Sequence, residues 1–335
     1  MLVDSALSGS FDDIARKAQE LEDEGYACAF TSETSHDPFL PLALVAEHTE
    51  RMEIGTSIAV AFARTPMTIA QIANDLHAVS HGRFILGLGS QTKPHIERRF
   101  SMPWSHPAAR MREFVLALRA IWSAWNTGEK LDVRGEFYTH TLMTPFFSPD
   151  PNPHGTPRVF LAAVGDRMTE VAGEVADGII LHPFTTEQYV REVTMPALER
   201  GFAAVGKHRA DFEVSSPIFV VTGANDEDID SARTGAKQQI AFYGSTPGYR
   251  GVLEQHGWGE VGDQLNRLSR KGEWVAMGEL VTDDMLETFA IVAAPNDVAT
   301  RLRGRFTGIV DRISFYAPYR SDADMWSRIV SELKG

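Results

Sequence analysis

Side chains suited to proton transfer stand directly after the second apolar segment of the sequence. Glu33 and His36 lie there, with Asp37 beside the histidine. Neighbouring carboxylates favour the protonated imidazole, so His36 could donate a proton, and Glu33 could donate or accept one. A solvated or structural histidine is the alternative, and the residue types alone leave both interpretations open.

Small and hydroxylated residues follow the fourth apolar segment, where a phosphate-bearing cofactor could bind. The run GLGSQT at 87–92 begins like a dinucleotide fingerprint, but Thr92 stands where the third glycine belongs. Because the third glycine of the motif is missing, the sequence does not predict a Rossmann-type site. Small residues at a barrel rim could instead simply relieve crowding.

Two further features favour an anionic ligand. Gly165 precedes a predicted helix, whose first N–H groups and dipole attract an anion, and Asp166 is the expected N-cap. Between positions 93 and 119, six basic residues outnumber two acids in an otherwise acidic protein. A cationic lid over an anionic ligand explains this excess, and a solvated helix face is the alternative. The basic residues are Lys93, Arg98, Arg99, Arg110, Arg112 and Arg119, and the acids are Glu97 and Glu113.

Metal chemistry has little support in the sequence. His77 and His81 are four residues apart, as metal ligands on a helix can be, but the glutamate of an HExxH motif is absent. Cys28 is the only cysteine, so neither an internal disulfide nor a cysteine-rich metal site can form. We expect no metal site, and a metal-dependent hydrolase is the least favoured enzyme class.

The candidate residues need a scaffold that brings strand ends together, and the apolar pattern predicts one. Short apolar segments alternate with amphipathic helical patterns, which is typical of a parallel sheet wrapped in helices. We predict a single (β/α)₈ TIM-like barrel domain over 1–335, with a lid insertion at about 93–157 and a helical insertion at about 225–286. The site of such a barrel lies at the carboxyl ends of its strands, so His182, after the sixth segment, is a further candidate position. The strands are predicted at 2–7, 26–31, 53–60, 83–87, 158–164, 178–182, 214–222 and 312–316.

Composition limits the possible partners. The chain has 335 residues, 43% of them hydrophobic and 23% charged, and a formal net charge of −13. A dedicated nucleic-acid or membrane-surface binder would need a basic footprint. The start of the sequence has no basic leader, and no apolar run is long enough for a bilayer. We therefore expect a cytoplasmic protein that acts on a small molecule.

Six motifs taken together resemble the luciferase-like monooxygenase superfamily, and within it the actinobacterial branch that uses the deazaflavin coenzyme F420. Their order and spacing cover nearly the whole chain. They are ETSHDPF at 33–39, GTSI at 55–58, RTP at 64–66, GRFILGLG at 82–89, AAVG at 162–165 and VADG at 175–178.

The resemblance implies a bacterial luciferase-like barrel in which a flavin-type ring lies over a bulge in the third strand. In deazaflavin members this bulge is a non-prolyl cis peptide, which would here join Ser57 to Ile58. The implied phosphate contacts are the loop at Ser90, Gln91 and Thr92 and the backbone at Ala163, Val164 and Gly165. Arg64 and Gly89, from the shared motifs, complete the implied coenzyme site. From their charge, we expect Lys93 and Arg98, with Arg99, to attract the acidic oligoglutamate tail of the coenzyme.

The activity implied is hydride exchange between F420 and an organic substrate, with His36 or Glu33 supplying or taking the proton. Sugar-phosphate dehydrogenases of the superfamily have an acid where this chain has Thr92, so that substrate is not expected. The alternatives are an FMN-dependent monooxygenase that uses oxygen and a barrel that binds a coenzyme or ligand without turnover. Homodimers are usual in the superfamily, and we expect one here.

Overall fold

Eight parallel strands close into a barrel in the computed structural model, which describes residues 1–334. The order around the barrel follows the sequence, and the ring closes where β8 pairs with β1. The predicted TIM-like fold is confirmed. The strands are β1 Leu2–Ala6, β2 Cys28–Thr31, β3 Glu53–Thr56, β4 Phe84–Gly89, β5 Arg158–Ala162, β6 Gly178–Ile180, β7 Glu213–Val221 and β8 Arg312–Tyr316.

Helices cover the outside of the barrel and follow the predicted apolar stripes. Thr65 caps its helix by accepting a hydrogen bond from the Thr68 N–H at 3.2 Å, as the Thr-Pro start predicted. Gly25 ends the first helix with a φ of 82°, which suits glycine. The helices are α1 Phe11–Glu24, α2 Leu40–His48, α3 Pro66–Val79, α4 Pro107–Thr127, α5 Asp166–Val175, α6 Glu187–Tyr189, α7 Met195–Val205, α8 Asp226–Gly244, α9 Arg250–Gln255, α10 Gly259–Lys271, α11 Trp274–Glu279, α12 Asp283–Phe289, α13 Pro295–Phe306 and α14 Ala323–Lys334.

Two details of the sheet differ from the sequence prediction. The third strand is not continuous, because Ser57 and Ile58 separate β3 from a short continuation, Ala59–Val60. A further strand, Ala290–Val292, was not predicted. Strand β7 has nine residues and β6 only three, so β6 pairs with the amino-terminal part of β7 alone. The further strand pairs with the carboxyl-terminal part, at residues 219–221.

Helix α4 lies within the stretch predicted as a lid, yet it packs between α3 and α5 as the fourth helix of the barrel. The segments that are additional to a simple (β/α)₈ barrel are the loop between β4 and α4 and the passage between α4 and β5. That passage contains a small hairpin, Val133–Arg134 with Thr139–His140. The stretch predicted as the second insertion, at about 225–286, contains helices α8 to α12.

The barrel interior is built in three layers, because alternate residues of each strand point inward. The layer at the amino ends of the strands is charged, and its five residues are Asp4, Glu53, Arg158, Glu213 and Arg312. The middle layer is an apolar cluster of Cys28, Phe30, Ile85, Phe160 and Ile180. The layer at the carboxyl ends is dominated by small residues, and it forms the candidate site.

Candidate active site

A well opens at the carboxyl ends of the strands, where the inward positions hold small side chains. Ala6 is exposed although it belongs to a barrel strand, and Ser32, directly after β2, is exposed as well. Ala162, Pro217 and Ser314 occupy the corresponding positions of β5, β7 and β8 and are half-buried. Because these side chains do not fill the mouth of the barrel, the apolar middle layer forms the floor of an open cavity.

One side of the well is the interruption of the third strand. The peptide that joins Ser57 to Ile58 is cis, as the family resemblance implied. Three consecutive residues at the end of β2 each form one hydrogen bond with Ser57 or Ile58. The Ser57 N–H donates to the Thr31 carbonyl at 2.7 Å, the Ser32 hydroxyl donates to the Ser57 carbonyl at 2.7 Å, and the Glu33 N–H donates to the Ile58 carbonyl at 3.1 Å.

Glu33 is fixed beside this peptide by two donors on one oxygen. Its buried Oε2 accepts hydrogen bonds from the Val60 N–H and from Nη1 of Arg64, both at 2.7 Å. Nη2 of Arg64 bonds Asp37 at 3.0 Å, so one guanidinium joins the loop after β2 to the continuation of β3. We call Glu33, Arg64 and Asp37 the clasp. Arg64 therefore bonds two carboxylates of the protein, and its contact with a coenzyme stays a prediction.

His36 lies on the same loop in a different environment. Its side chain is exposed, and no hydrogen bond joins it to another residue within 1–334. Arg99, from the loop that follows β4, donates to the Thr34 carbonyl two residues away. The two predicted proton donors thus lie on one loop, with Glu33 held by other protein groups and His36 open to a ligand.

The loop after β4 is folded onto itself. The Ser90 hydroxyl donates to the Gln91 carbonyl at 3.2 Å, and the Gln91 side-chain oxygen accepts from the Thr92 N–H at 2.9 Å. Gln91 has a φ of 60°, an uncommon backbone conformation for a residue with a side chain. At Gly89, a Cβ atom would lie 2.9 Å from Cδ1 of Ile58, so any larger residue would displace the Ile58 side chain where β4 meets the bulge.

Gly165, after β5, begins helix α5 with a φ of 83°. The expectation that Asp166 caps this helix is wrong, because its carboxylate bonds Arg200 and the first turn has no side-chain cap. Asp166 thus pairs with Arg200, 34 residues away in the sequence, and does not cap the first turn of α5. The first N–H groups of α5 can therefore receive an anion beside Ala163 and Val164.

Three of the six basic residues predicted to form a cationic lid are held in contacts with other protein groups. Arg110 is buried and bonds the Tyr138 hydroxyl at 2.9 Å and the Pro103 carbonyl at 2.7 Å. Arg112 pairs with Glu174, and Arg119 pairs with Asp177. These three residues stabilise α4 against its neighbours. Lys93, Arg98 and Arg99 remain exposed near the well, with Lys93 only 3.8 Å from Glu97.

The side of the well opposite the clasp is aromatic, and it contains His182, which the sequence analysis named as a candidate position. His182 occupies the inward position after β6, two residues beyond Ile180. Its ring stacks on Tyr249 at 4.3 Å, and burial lowers the pKa of His182 to about 4. Tyr316, at the end of β8, bonds the Tyr243 hydroxyl at 2.6 Å. The period-two alternation of β6 and β8 was the sequence signal that could have identified this side.

Residues 1–334 contain neither a candidate metal centre nor a candidate membrane span. No group of three or more His, Cys, Asp and Glu side chains is placed to hold a metal ion. Over the same residues, no helix combines the length and hydropathy needed to cross a membrane.

Comparisons with known proteins agree with this geometry. A family model described as luciferase-like monooxygenase matches residues 3–312. Rv1360, an uncharacterized protein of Mycobacterium tuberculosis, is 56% identical over 311 residues, which cover 93% of this chain and 92% of that protein. The 5,10-methylenetetrahydromethanopterin reductase of Archaeoglobus fulgidus is 28% identical over 290 residues, 84% and 82% of the two chains. The solved coenzyme F420-dependent tetrahydromethanopterin reductase of Methanopyrus kandleri superposes with a TM-score of 0.78 at 20% identity, covering 98% and 96%.

Proposed function

The chain belongs to the luciferase-like monooxygenase family and is an enzyme of that family, and from this premise we propose that it transfers a hydride between coenzyme F420 and an organic substrate. The observation that carries the proposal is the well of small side chains beside the interruption of the third strand at Ser57 and Ile58. The reductase from Archaeoglobus and the F420-dependent enzyme from Methanopyrus support the choice of coenzyme.

The residues at the mouth of the barrel fit a flat ring. Gly89 leaves no Cβ between β4 and Ile58, and Ala6 and Ala162 add only methyl groups to the opening. The floor is apolar, so a planar ring can leave water without burying a charge there. When bound, F420 supplies the ring carbon that carries the hydride.

We assign the remaining contacts according to charge and geometry. The loop of Ser90, Gln91 and Thr92 and the backbone of Ala163, Val164 and Gly165 hold the phosphate of the coenzyme. Lys93 and Arg98 attract its acidic tail. Small-molecule binding requires only a few such polar contacts around a largely apolar cavity.

The proton is handled at the loop after β2. His36 is exposed at the edge of the well and can exchange a proton with substrate through its imidazole nitrogen. Glu33 is held by Arg64 and by the Val60 N–H, so we assign it a positioning role behind the ring.

Coenzyme binding by the purified protein, followed by fluorescence quenching of F420, tests this function. We expect saturable binding to the wild type and a loss of at least roughly tenfold in affinity for Gly89→Val, whose side chain would enter the well. The control is Gly304→Ala on α13, where an added Cβ meets nothing within 4 Å. Absence of F420 binding, with tight binding of FMN instead, would overturn the assignment.

A second candidate is a monooxygenase that uses reduced FMN and oxygen, because the matching family model describes monooxygenases. Oxygen consumption with reduced FMN distinguishes it, since a deazaflavin carries hydride but does not usefully activate oxygen. A barrel that binds a ligand without turnover is a third candidate. Replacement of His36 by glutamine would leave such a binder unaffected but would slow an enzyme.

We extend the proposal to the state of the protein in the cell. A single barrel domain that forms a homodimer in the cytoplasm and acts on a small molecule agrees with the family resemblance. Light scattering coupled to size exclusion tests the dimer directly.

A further inference from the structure

Tyr316 lies in the wall of the well, above the layer of small residues. It ends β8 on the same inward face as Arg312 of the charged layer and Ser314 of the small layer, since alternate residues of a strand point the same way. In a closed ring of eight strands, β7 stands opposite β3, and β8 follows β7. A coenzyme ring placed against Ser57 and Ile58 therefore presents its free face toward this part of the barrel.

The hydroxyl of Tyr316 is paired with a second tyrosine hydroxyl. Its oxygen lies 2.6 Å from the hydroxyl oxygen of Tyr243, which is near the end of α8 in the second insertion. One hydroxyl hydrogen fills this contact, so the other points away from the pair and can be donated to a ligand. Within residues 1–334, neither hydroxyl bonds a third group. Both side chains are only half-buried, so the pair keeps surface that a ligand can reach.

The hydroxyl pair is surrounded by uncharged rings. The Phe219 ring meets Tyr316 edge-on with centroids 4.9 Å apart, and the His182 ring meets Tyr243 edge-on at 4.6 Å. Burial lowers the pKa of His182 to about 4, which keeps its imidazole neutral at physiological pH. Burial raises the pKa of the Tyr316 hydroxyl, and so does the hydrogen bond with Tyr243, so this hydroxyl stays protonated. A neutral donor among aromatic rings suits an oxygen acceptor on an uncharged molecule.

An exposed apolar surface continues from Tyr243 along the second insertion. The Phe242 ring, on α8, lies 5.7 Å from the Tyr243 ring and 6.2 Å from that of Trp274 on α11, which Val275 follows. The side chains of Phe242, Trp274 and Val275 are 48%, 53% and 69% exposed, and we call these three residues the apolar patch. Contiguous exposed apolar surface marks regions that bind ligands or partners. Its position beside the hydroxyl pair suits the apolar body of a molecule whose oxygen reaches Tyr316.

We propose that Tyr316 donates a hydrogen bond to the substrate oxygen, and that the substrate is an uncharged ketone, or the corresponding alcohol, whose apolar body lies on the apolar patch. The inference rests on the proposed function, because Tyr316 faces the substrate only if the coenzyme ring lies against Ser57 and Ile58. Tyr243 donates to the Tyr316 oxygen and so directs the Tyr316 hydrogen toward the substrate. A carbonyl oxygen accepts two hydrogen bonds, so this contact leaves one position for His36.

The first test compares two ketones that differ in apolar length, 2-octanone and 2-butanone, in protein saturated with oxidised F420. We expect 2-octanone to bind at least roughly tenfold more tightly in saturation-transfer NMR titrations, because its longer chain leaves water on the apolar patch. Phe242→Ser should reduce this preference by roughly threefold or more. The control is Phe146→Ser, which changes an 89% exposed phenylalanine on the passage between α4 and β5 and should leave the preference unchanged.

The second test removes the donor. Tyr316→Phe keeps the ring and should weaken 2-octanone binding by roughly 3- to 10-fold, with F420 affinity unchanged within about twofold. In the wild type the infrared carbonyl stretch of bound 2-octanone should move to lower frequency, and this shift should be lost in Tyr316→Phe, which a purely structural role would not cause. Tyr243→Phe leaves the Tyr316 donor in place and should cause the smaller loss. Tyr26→Phe, before β2 at the opposite end of the barrel, is the control.

Several results would overturn the proposal. These are equal affinity of the wild type for the two ketones, unchanged 2-octanone affinity in Tyr316→Phe, and a carbonyl stretch that is the same in both proteins. Weaker F420 binding in Tyr316→Phe would assign the hydroxyl to the coenzyme and would overturn it as well. If the wild type does not bind F420, the proposed function fails, and the same titrations without coenzyme still decide whether Tyr316 contacts the ketone.

Discussion

At the scale of single residues, the clasp explains how a polar cluster can support an apolar site. Glu33 and Asp37 are both acidic and close in sequence, yet Arg64 lies between them and bonds each one. The Glu33 side chain is only 6% exposed, so the hydrogen bonds from these donors replace those that water would make. The remaining Asp37 oxygen accepts from the Phe39 and Leu40 N–H groups at the start of α2, which ties the clasp to the outer helices.

Arg64→Met is expected to destabilise the fold and to weaken coenzyme binding together. Removing the guanidinium leaves the Glu33 carboxylate buried without its partner, and the expected loss is roughly 1–3 kcal/mol of the free energy of unfolding. Urea denaturation and F420 titration of the same preparation measure both effects. Arg191→Met is the matched control, because its pair with Glu187 is exposed and should contribute less than about 1 kcal/mol. Equal losses in the two variants would show that the clasp contributes no more than a surface ion pair.

Glycines show how one residue type acts differently in two places. At Gly87 a Cβ would lie 1.8 Å from the Thr56 carbonyl, and the Gly87 N–H and carbonyl both bond the Thr56 hydroxyl. Gly304, on the exposed face of α13, has free space around it.

Gly87→Ala should therefore lower the free energy of unfolding by about 3 kcal/mol, at the upper end of the range for overpacking. Gly304→Ala should raise it by roughly 0.5–1 kcal/mol, because alanine is the better helix residue. Chemical denaturation of both variants provides the comparison. A stable Gly87→Ala protein would mean that β3 and β4 can separate at this point without cost.

At the scale of elements, the charged layer at the amino ends of the strands joins five strands through five side chains. Arg312 is 1% exposed and bonds both Asp4 oxygens, at 2.9 and 2.8 Å, as well as Glu53 and Glu213. Three carboxylates face two guanidinium groups, so one negative charge is in excess. Burial outweighs the Arg312 contacts at Asp4 and raises the pKa of that carboxyl to about 6.

This raised pKa predicts a dependence of stability on pH that Asp4→Asn removes. Because the folded pKa is about 6 and the ordinary value is 3.8, the folded protein keeps a proton in this window that the unfolded chain has released. Relative to Asp4→Asn, the wild type should lose stability as pH rises from about 4 to about 6, by on the order of 2–3 kcal/mol. Urea denaturation of both proteins at several pH values measures the difference. Parallel stability curves would show that Asp4 is ionised throughout.

Elements were predicted well where a short-range pattern specifies them. The alternation of strands and helices and the Thr65 cap are local signals, and the structure confirms them. The sequence analysis placed Arg110, Arg112 and Arg119 in a lid, which was wrong because each bonds a side chain 28 to 62 residues away in the sequence. A net count of charges cannot distinguish a paired arginine from an exposed one. The inward positions of His182 and Tyr316 could be derived from alternation, but their closeness to Tyr243 depends on how the second insertion folds back.

At the scale of the whole molecule, the net charge of −13 opposes the binding of an acidic coenzyme. A coenzyme with an oligoglutamate tail needs local positive potential to overcome this repulsion. With Arg110, Arg112 and Arg119 held in structural contacts, Lys93 and Arg98 are the exposed cations left beside the loop that follows β4, together with Arg99, which contacts Thr34. The long-range field and the local field therefore have opposite signs at the mouth of the barrel.

The double variant Lys93→Glu with Arg98→Glu should reverse the local field and weaken F420 binding by at least roughly tenfold at low ionic strength. The loss should shrink as salt is added, because both side chains are exposed and salt screens them. Lys130→Glu with Arg134→Glu is the matched control, since it changes the net charge equally at exposed positions beside the distant hairpin. Fluorescence titration at several salt concentrations measures both, and FMN, which has no acidic tail, should bind the two variants alike. If both double variants lose F420 affinity equally, the overall charge of the molecule governs binding, and Lys93 and Arg98 do not contact the tail.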